Sequence, residues 1–157
     1  MDDKTYHSTT AEVRVAYELT KRKYHVFTQL SGKAPIDLIA CAPGGRLLRI
    51  SVKSCSVEPT EYGAYLVQLK KVRANKTKNR IVPFDNSECD VLAVYVRKLD
   101  VVCWIPATKI AATTGISLAT SKSKHCKTQF LVEEHTFDDL EKWQSLPYCT
   151  DLENQRA

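Results

Sequence analysis

The spacing of apolar and polar residues predicts one N-terminal helix followed by a succession of strands. Residues 9–23 have helical spacing, and the apolar side of this helix is predicted to hold Val13, Ala16, Tyr17, Leu19 and Thr20. Strand patterns occur at residues 24–30, 36–42, 47–53, 63–69, 91–96 and 101–105. Pro43-Gly44-Gly45 separates the second of these strands from the third, so a hairpin is expected there.

The C-terminal part of the chain predicts shorter elements. A short helix is expected after Pro106, and a strand is expected at residues 130–132. Thr136 and Asp139 have the spacing of a capping box, which predicts a helix from Thr136 to about residue 145. Helices that flank a run of strands indicate the α/β fold class with a mixed β-sheet.

Length and composition are those of an ordinary globular protein. The chain has 157 residues, of which 43% are hydrophobic and 26% are charged, and these values fit a single domain over residues 1–157. No apolar run approaches the ~18 residues of a membrane span, and the N-terminal residues lack the pattern of a signal peptide. A soluble, cytoplasmic protein without a membrane partner is therefore expected. Six scattered cysteines without a CxxC pair predict free thiols.

The positive charge of the chain is unevenly distributed. The net charge is +5, but eleven residues in the middle of the chain hold six cations and no acid: Lys70, Lys71, Arg73, Lys76, Lys78 and Arg80. This stretch is expected to form a basic loop between two strands. Clustered cations bind the phosphates of nucleic acids, so this stretch predicts a nucleic acid as the partner. A solvated loop that serves only solubility is the alternative.

Polar side chains on two neighbouring strands suggest a catalytic cluster. Asp37 lies in an otherwise apolar strand, where an isolated carboxylate is costly to bury and needs a partner or a metal ion. On the next strand Arg49, Ser51 and Lys53 alternate with apolar residues and therefore share one face. If that face meets Asp37, a carboxylate, a hydroxyl and an ammonium group converge, which is the set that phosphodiester hydrolysis requires.

Simpler explanations exist for several of these residues. Asp37 could form a cross-strand ion pair with Arg49 or Lys53. A glutamate on the first helix, Glu12, follows Thr9 at capping-box spacing and could reach back to the helix start. Asp90 could simply begin its strand and accept hydrogen bonds from loop amides.

The order and spacing of these segments resemble a known group of nucleases. The chain is similar to the PD-(D/E)XK homing endonucleases of group I introns, which are related in fold to archaeal Holliday junction resolvases. The segments that carry the resemblance are Thr10-Ala11-Glu12, Ile36-Asp37-Leu38-Ile39-Ala40, Arg49-Ile50-Ser51-Val52-Lys53, Asp90-Val91-Leu92-Ala93-Val94-Tyr95 and Trp104-Ile105-Pro106. The resemblance covers about residues 8–106 and implies a restriction-endonuclease-like core. The C-terminal strand and helix, at 128–146, lie outside it.

The resemblance also implies a role for each site residue. Asp37 would be the metal-binding aspartate, Lys53 the motif lysine and Glu12 a second, helix-borne acid, with Mg²⁺ as the cofactor and Mn²⁺ as a substitute. Ser51 takes the place of the second motif acid. A hydroxyl is a weaker Mg²⁺ ligand than a carboxylate, so Glu12 is expected to supply the missing charge.

The implied activity is hydrolysis of double-stranded DNA at a specific site, with breaks in both strands. One such site cuts one strand, so a homodimer or homotetramer is expected. Two alternatives remain at this stage. A junction resolvase would share the core but recognise branched DNA, and a nuclease fold that has lost catalysis through Ser51 would bind DNA without cutting it.

Overall fold

A computed structural model of the protein describes residues 3–30, 34–73, 78, 80–124 and 129–145. This part of the chain contains two α-helices, α1 (Asp3–Lys21) and α2 (Phe137–Ser145). It also contains ten strands: β1 (His25–Thr28), β2 (Leu38–Cys41), β3 (Leu47–Ser54), β4 (Ala64–Gln68), β5 (Lys71–Arg73), β6 (Arg80–Val82), β7 (Val91–Val96), β8 (Val101–Pro106), β9 (Gly115–Ala119) and β10 (Gln129–Leu131). Short 3-10 turns lie at Arg97–Leu99, Ala107–Lys109 and Val132–Glu134.

The main sheet has five strands in the order β1-β2-β3-β7-β8. Its β3–β7 pair is parallel and the other pairs are antiparallel, so the sheet is mixed as predicted. A second sheet has the order β10-β9-β4, and β5 pairs with β6 as a separate antiparallel ribbon. This arrangement confirms the expected α/β class.

Both faces of the main sheet are covered by apolar side chains. On one face, residues such as Ile50 and Trp104 form a core with α1 and α2. On the other face, residues such as Val94 and Ile105 pack against β4 and β9. Every residue of β7 is buried because this strand lies between β3 and β8 with a core on each side.

Helix α1 is longer than predicted and turns a different side to the core. It begins at Asp3 rather than residue 9, and its buried stripe consists of Ala11, Val15 and Leu19, four residues apart. Val13 and Tyr17 are 63% and 55% exposed, because each lies two positions from the stripe and thus about 200° around the helix. The predicted apolar side was therefore wrong for Val13, Tyr17 and Thr20, while Leu19 is buried as expected.

Helix α2 confirms the predicted capping box. The Thr136 hydroxyl accepts a hydrogen bond from the Asp139 amide at 3.3 Å, and the Asp139 carboxylate accepts one from the Thr136 amide at 3.0 Å. These reciprocal bonds satisfy amides that the first helical turn leaves without a partner.

Two strand regions were not predicted. The basic stretch was expected to be a loop, but its ends form β5 and β6, which pair through Lys71↔Val82 and Arg73↔Arg80. Cations at alternate positions hid the strand pattern, because Lys71 and Arg73 leave β5 with a single apolar residue. Strand β9 was also missed. Within the described ranges, neither helix combines the length and hydropathy that a bilayer crossing requires.

Candidate active site

Asp37 lies at the end of the β2–β3 pairing. The Asp37 amide donates to the Ile50 carbonyl at 2.9 Å, which extends the ladder by one residue and places Asp37 opposite Ser51. Its carboxylate oxygen Oδ2 accepts from the Val52 amide at 2.7 Å and from the Ser51 hydroxyl at 3.3 Å. The hairpin thus brings Asp37 and Ser51 together, and it holds the carboxylate in one orientation.

Ser51 forms part of a buried wall beside Asp37. The side chain is 2% exposed, so its hydroxyl is committed to Asp37 rather than to solvent. The Ser51 main chain hydrogen-bonds the thiol of Cys89, a residue that the sequence did not single out. Burial raises the pKa of Cys89 to about 11, which keeps the thiol neutral near pH 7. The Cys89 thiol therefore adds no negative charge beside Ser51.

Lys53 lies two residues further along the same strand and is half-buried. Burial lowers the pKa of Lys53, the positive charge of Lys71 lowers it further, and the negative charge of Asp37 opposes both. Lys53 therefore lies within the fields of both residues. Among the ion pairs of the described residues, Arg49 pairs with Asp90, and the acceptor contacts of Asp37 are to Val52 and Ser51.

Glu12 approaches the same cluster from α1. Burial raises the pKa of Glu12, and the negative charge of Asp37 raises it further, which shows that the two carboxylates interact. The capping-box explanation for Glu12 is wrong, because α1 begins at Asp3 and Thr9 lies well inside the helix. The Glu12 side chain therefore does not cap the helix, and its carboxylate lies near Asp37.

Asp90 has a structural role. Its carboxylate accepts from the Arg49 amide at 2.8 Å and from the Arg49 guanidinium at 2.9 Å. These contacts tie the middle of β3 to the start of β7. The simpler explanation of Asp90 as a strand-opening acceptor fits these contacts.

The cations of the basic stretch differ in their surroundings. Lys71 lies at the cluster, where its Nζ donates to the Pro35 carbonyl at 3.1 Å. Lys70 is half-buried, while Lys78 and Arg80 are exposed. The side chain of Arg73 and the whole of Lys76 lie outside the described residues. The expected DNA-binding cations are therefore not equivalent.

The donor set of the cluster fits a hard divalent cation. Among the described residues, no group of three or more His, Cys, Asp or Glu side chains could hold a metal ion. Asp37 and Glu12 nevertheless place two interacting carboxylates together, and their mutual repulsion would be relieved by a cation. Mg²⁺ is commonly held by one or two carboxylates while it keeps several waters.

Burial of Glu12, together with its repulsion by Asp37, predicts a stability gain for Glu12→Gln. A carboxyl whose pKa is raised by folding destabilises the folded state at pH values above that pKa, and the penalty vanishes below the ordinary glutamate value. We therefore expect Glu12→Gln to raise the Tm at pH 7 in metal-free buffer and to leave it unchanged at pH 3. Calorimetry at both pH values checks this. A lower Tm at pH 7 would contradict it.

The comparisons with known proteins concern both family and fold. A family model described as PD-(D/E)XK endonuclease matches residues 1–138 of the chain. The solved structure of a bacterial homing endonuclease, I-Ssp6803I, is similar with a TM-score of 0.71. The two share 18% sequence identity, and the similarity covers 94% of this chain and 100% of the other. At 18% identity the match is evidence for the fold alone. It confirms the expected restriction-endonuclease-like core. No curated protein matches the chain.

Proposed function

Because the chain belongs to the PD-(D/E)XK endonuclease family, we propose that it hydrolyses DNA with the help of a divalent metal ion at the cluster of Asp37, Glu12, Ser51 and Lys53. The observation that carries this proposal is the placement of Asp37. Its carboxylate is fixed by the Val52 amide and the Ser51 hydroxyl, while the charges of Glu12 and Lys53 act on the same point.

Each residue of the cluster has a distinct part in the proposed reaction. Asp37 and Glu12 would hold Mg²⁺ or Mn²⁺, and the bound ion supplies stabilisation of phosphate charge and a more acidic water. The Lys53 ammonium orients the attacking water and stabilises negative charge on the phosphate. Ser51 orients Asp37 through its hydroxyl. Water attacks the phosphorus directly while the P–O bond to the departing sugar oxygen breaks, and that oxygen leaves as a hydroxyl after taking up a proton from solvent. No covalent enzyme intermediate forms.

The β5–β6 ribbon supplies a contact surface for the duplex. The major groove admits a two-stranded β-ribbon, and the two ends of the basic stretch pair as such a ribbon. Its cations Lys70, Arg73, Lys76, Lys78 and Arg80 would contact backbone phosphates or enter the groove, which predicts binding that weakens steeply as salt rises.

We extend the proposal to site-specific double-strand breaks of the homing type. The support is the similarity in fold to a bacterial homing endonuclease over 94% of this chain. One cluster cuts one strand, so a homodimer or homotetramer with two clusters on opposite strands is required. Base contacts outside the cluster would select the target sequence.

The experiment that tests the proposed function is cleavage of a mixed DNA pool. The pool contains supercoiled plasmids with randomised inserts and a four-way junction, and each is incubated with Mg²⁺ or Mn²⁺. Nicking or linearisation that needs the metal supports the nuclease. Mapped ends at one long sequence support the homing activity, while preferential cutting of the junction supports a resolvase. Binding without any cutting would overturn the proposal.

The neutral, buried Ser51 favours one alternative, a nuclease fold that binds DNA but has lost catalysis. Ser51→Asp tests this alternative, because it adds a third carboxylate to those of Asp37 and Glu12. We expect a lower Tm without metal and Mn²⁺ binding about tenfold tighter, since affinity rises with the number of charged ligands. Isothermal titration measures the affinity. Ser54→Asp, on the opposite face of β3, is the matched control.

Under the proposed function the native chain already cuts DNA, and Ser51→Asp only changes its metal requirement. Under the alternative, the native chain is inactive with every metal and Ser51→Asp gains nicking activity. Unchanged Mn²⁺ affinity in Ser51→Asp would contradict the placement of the metal at Asp37.

A further inference from the structure

Lys71 belongs to the β5–β6 ribbon, but its side chain is held next to the cluster of Asp37, Glu12, Ser51 and Lys53. It is the first residue of β5, and its ammonium donates to the carbonyl of Pro35, two residues before Asp37. Leu69, two residues earlier, is fully buried and its amide donates to the Thr114 carbonyl at 3.0 Å. The backbone that leads into Lys71 is therefore fixed by the body of the protein.

Lys71 also lies beside Ser51, one residue of the proposed active site. Together with Ser51, Cys89 and the exposed Glu88, it lines a cavity of about 90 Å³. Its charge is close enough to Lys53 to lower the pKa of that residue. Two cations held near one another are unfavourable unless an anion joins them. The arrangement therefore suits an anionic ligand between or beside the two ammonium groups.

The charges of the cluster identify that anion. If a divalent cation occupies Asp37 and Glu12, the negative charge of both carboxylates is taken up by the metal. Glu88, which also lines the cavity, is exposed and forms no ion pair with Lys53 or Lys71 among the described residues, so both ammonium groups can accept an anionic ligand. A phosphate group of bound DNA is an anion that can contact both ammonium groups and lie near the metal.

We propose that Lys71 is a second catalytic lysine, whose ammonium leaves the Pro35 carbonyl on DNA binding and contacts the phosphate that is cut. It shares with Lys53 the negative charge that develops on this phosphate. This inference rests on the proposed function and goes beyond the general phosphate binding that the basic stretch predicts. Lys78 and Arg80, which are exposed on the ribbon, bind other phosphates and act on affinity.

The test compares Lys71→Met with the native chain on supercoiled plasmid in Mn²⁺. Methionine keeps an unbranched stem of similar length and removes the ammonium. With protein in excess at saturation, we expect the nicking rate to fall about 10²-fold, the loss typical when one preorganised charge-stabilising group is removed. The Kd for DNA without metal should rise less than about threefold, because one phosphate contact among several is lost. Lys71→Arg should recover part of the rate.

Two further variants test whether the effect comes from losing any positive charge or from losing the charge of Lys71. Lys21→Met removes an exposed cation at the far end of α1 and should leave both rate and affinity unchanged. Lys78→Met should weaken DNA binding at least as much as Lys71→Met does.

A purely structural role for Lys71 predicts a different result. If its bond to Pro35 served only to position Asp37, Lys71→Met would weaken Mn²⁺ binding and lower the Tm, and Lys71→Arg would not restore the rate at saturation. Our inference predicts Mn²⁺ affinity that is unchanged or higher, because a nearby positive charge has been removed. A native saturated rate in Lys71→Met, with weaker DNA binding, would overturn the inference while leaving the proposed function intact. A native chain that never cuts DNA would overturn both.

Discussion

Asp37→Asn is expected to reduce the rate of DNA cleavage by about 10³-fold or more, because the metal's charge stabilisation is worth several kcal/mol and each ~1.4 kcal/mol is a factor of ten. The asparagine oxygen can still accept the hydrogen bond from the Val52 amide, so the hairpin should keep its geometry. What is lost is one of the two negative charges that would hold the cation. Mn²⁺ binding measured by isothermal titration should fall with the cleavage rate.

The matched control is Asp90→Asn, which removes the charge of a carboxylate that has a structural role. Asp90 accepts hydrogen bonds from the Arg49 amide and guanidinium, so its replacement should lower the Tm while Mn²⁺ affinity stays native. Native Mn²⁺ affinity in Asp37→Asn would contradict the proposed metal site.

Much of the main sheet could be predicted because the apolar pattern of its strands matches the burial of their side chains in the structure. Strand β7 is apolar at every position, as a strand with a core on both faces must be, and its predicted bounds are those observed. Strands β2 and β3 flank a Pro-Gly-Gly turn, which fixed their pairing. Helix α1 was less predictable, because exposed apolar residues such as Val13 and Tyr17 outweighed the small Ala11 in the pattern.

In the candidate site, strand spacing and one turn predicted some positions, while others depend on packing between segments that are far apart in sequence. Period-two geometry placed Ser51 and Lys53 on one face, and the turn placed Asp37 opposite them. Glu12 depended on the family resemblance, since no local pattern joins a helix residue to a strand 25 positions away. The positions of Cys89 and Lys71 depend on how β5 and the segment before β7 pack against β3. No spacing rule encodes that packing.

Stability and the proposed chemistry oppose one another in this cluster. Two acids and two cations are brought together with part of their hydration removed, and the pKa values of Glu12 and Lys53 shift in the directions that mark unfavourable charges. Residues with shifted pKa values are frequent at active sites. The same groups are therefore expected to limit the stability of the metal-free protein.

Lys53→Met is the variant that separates catalysis from structure most sharply. Removing the ammonium should lower the saturated cleavage rate by about 10²- to 10³-fold, as for other preorganised groups that stabilise developing charge. Mn²⁺ affinity should not fall, because a cation near Asp37 has been removed. Lys98→Met, which removes a lysine paired with the exposed Glu58, is the control and should keep the native rate.

The same variant should also be more stable than the native chain at pH 7. A lysine whose pKa is lowered by folding destabilises the folded state while it is charged, and this penalty disappears as the pH rises towards the ordinary lysine value. The Tm of Lys53→Met should therefore exceed the native Tm at pH 7, and the difference should shrink as the pH rises. If Lys53 instead served as a structural ion-pair partner of Asp37, the substitution would lower the Tm at pH 7. A stabilised but inactive variant is thus the result that assigns Lys53 to the chemistry rather than to the fold.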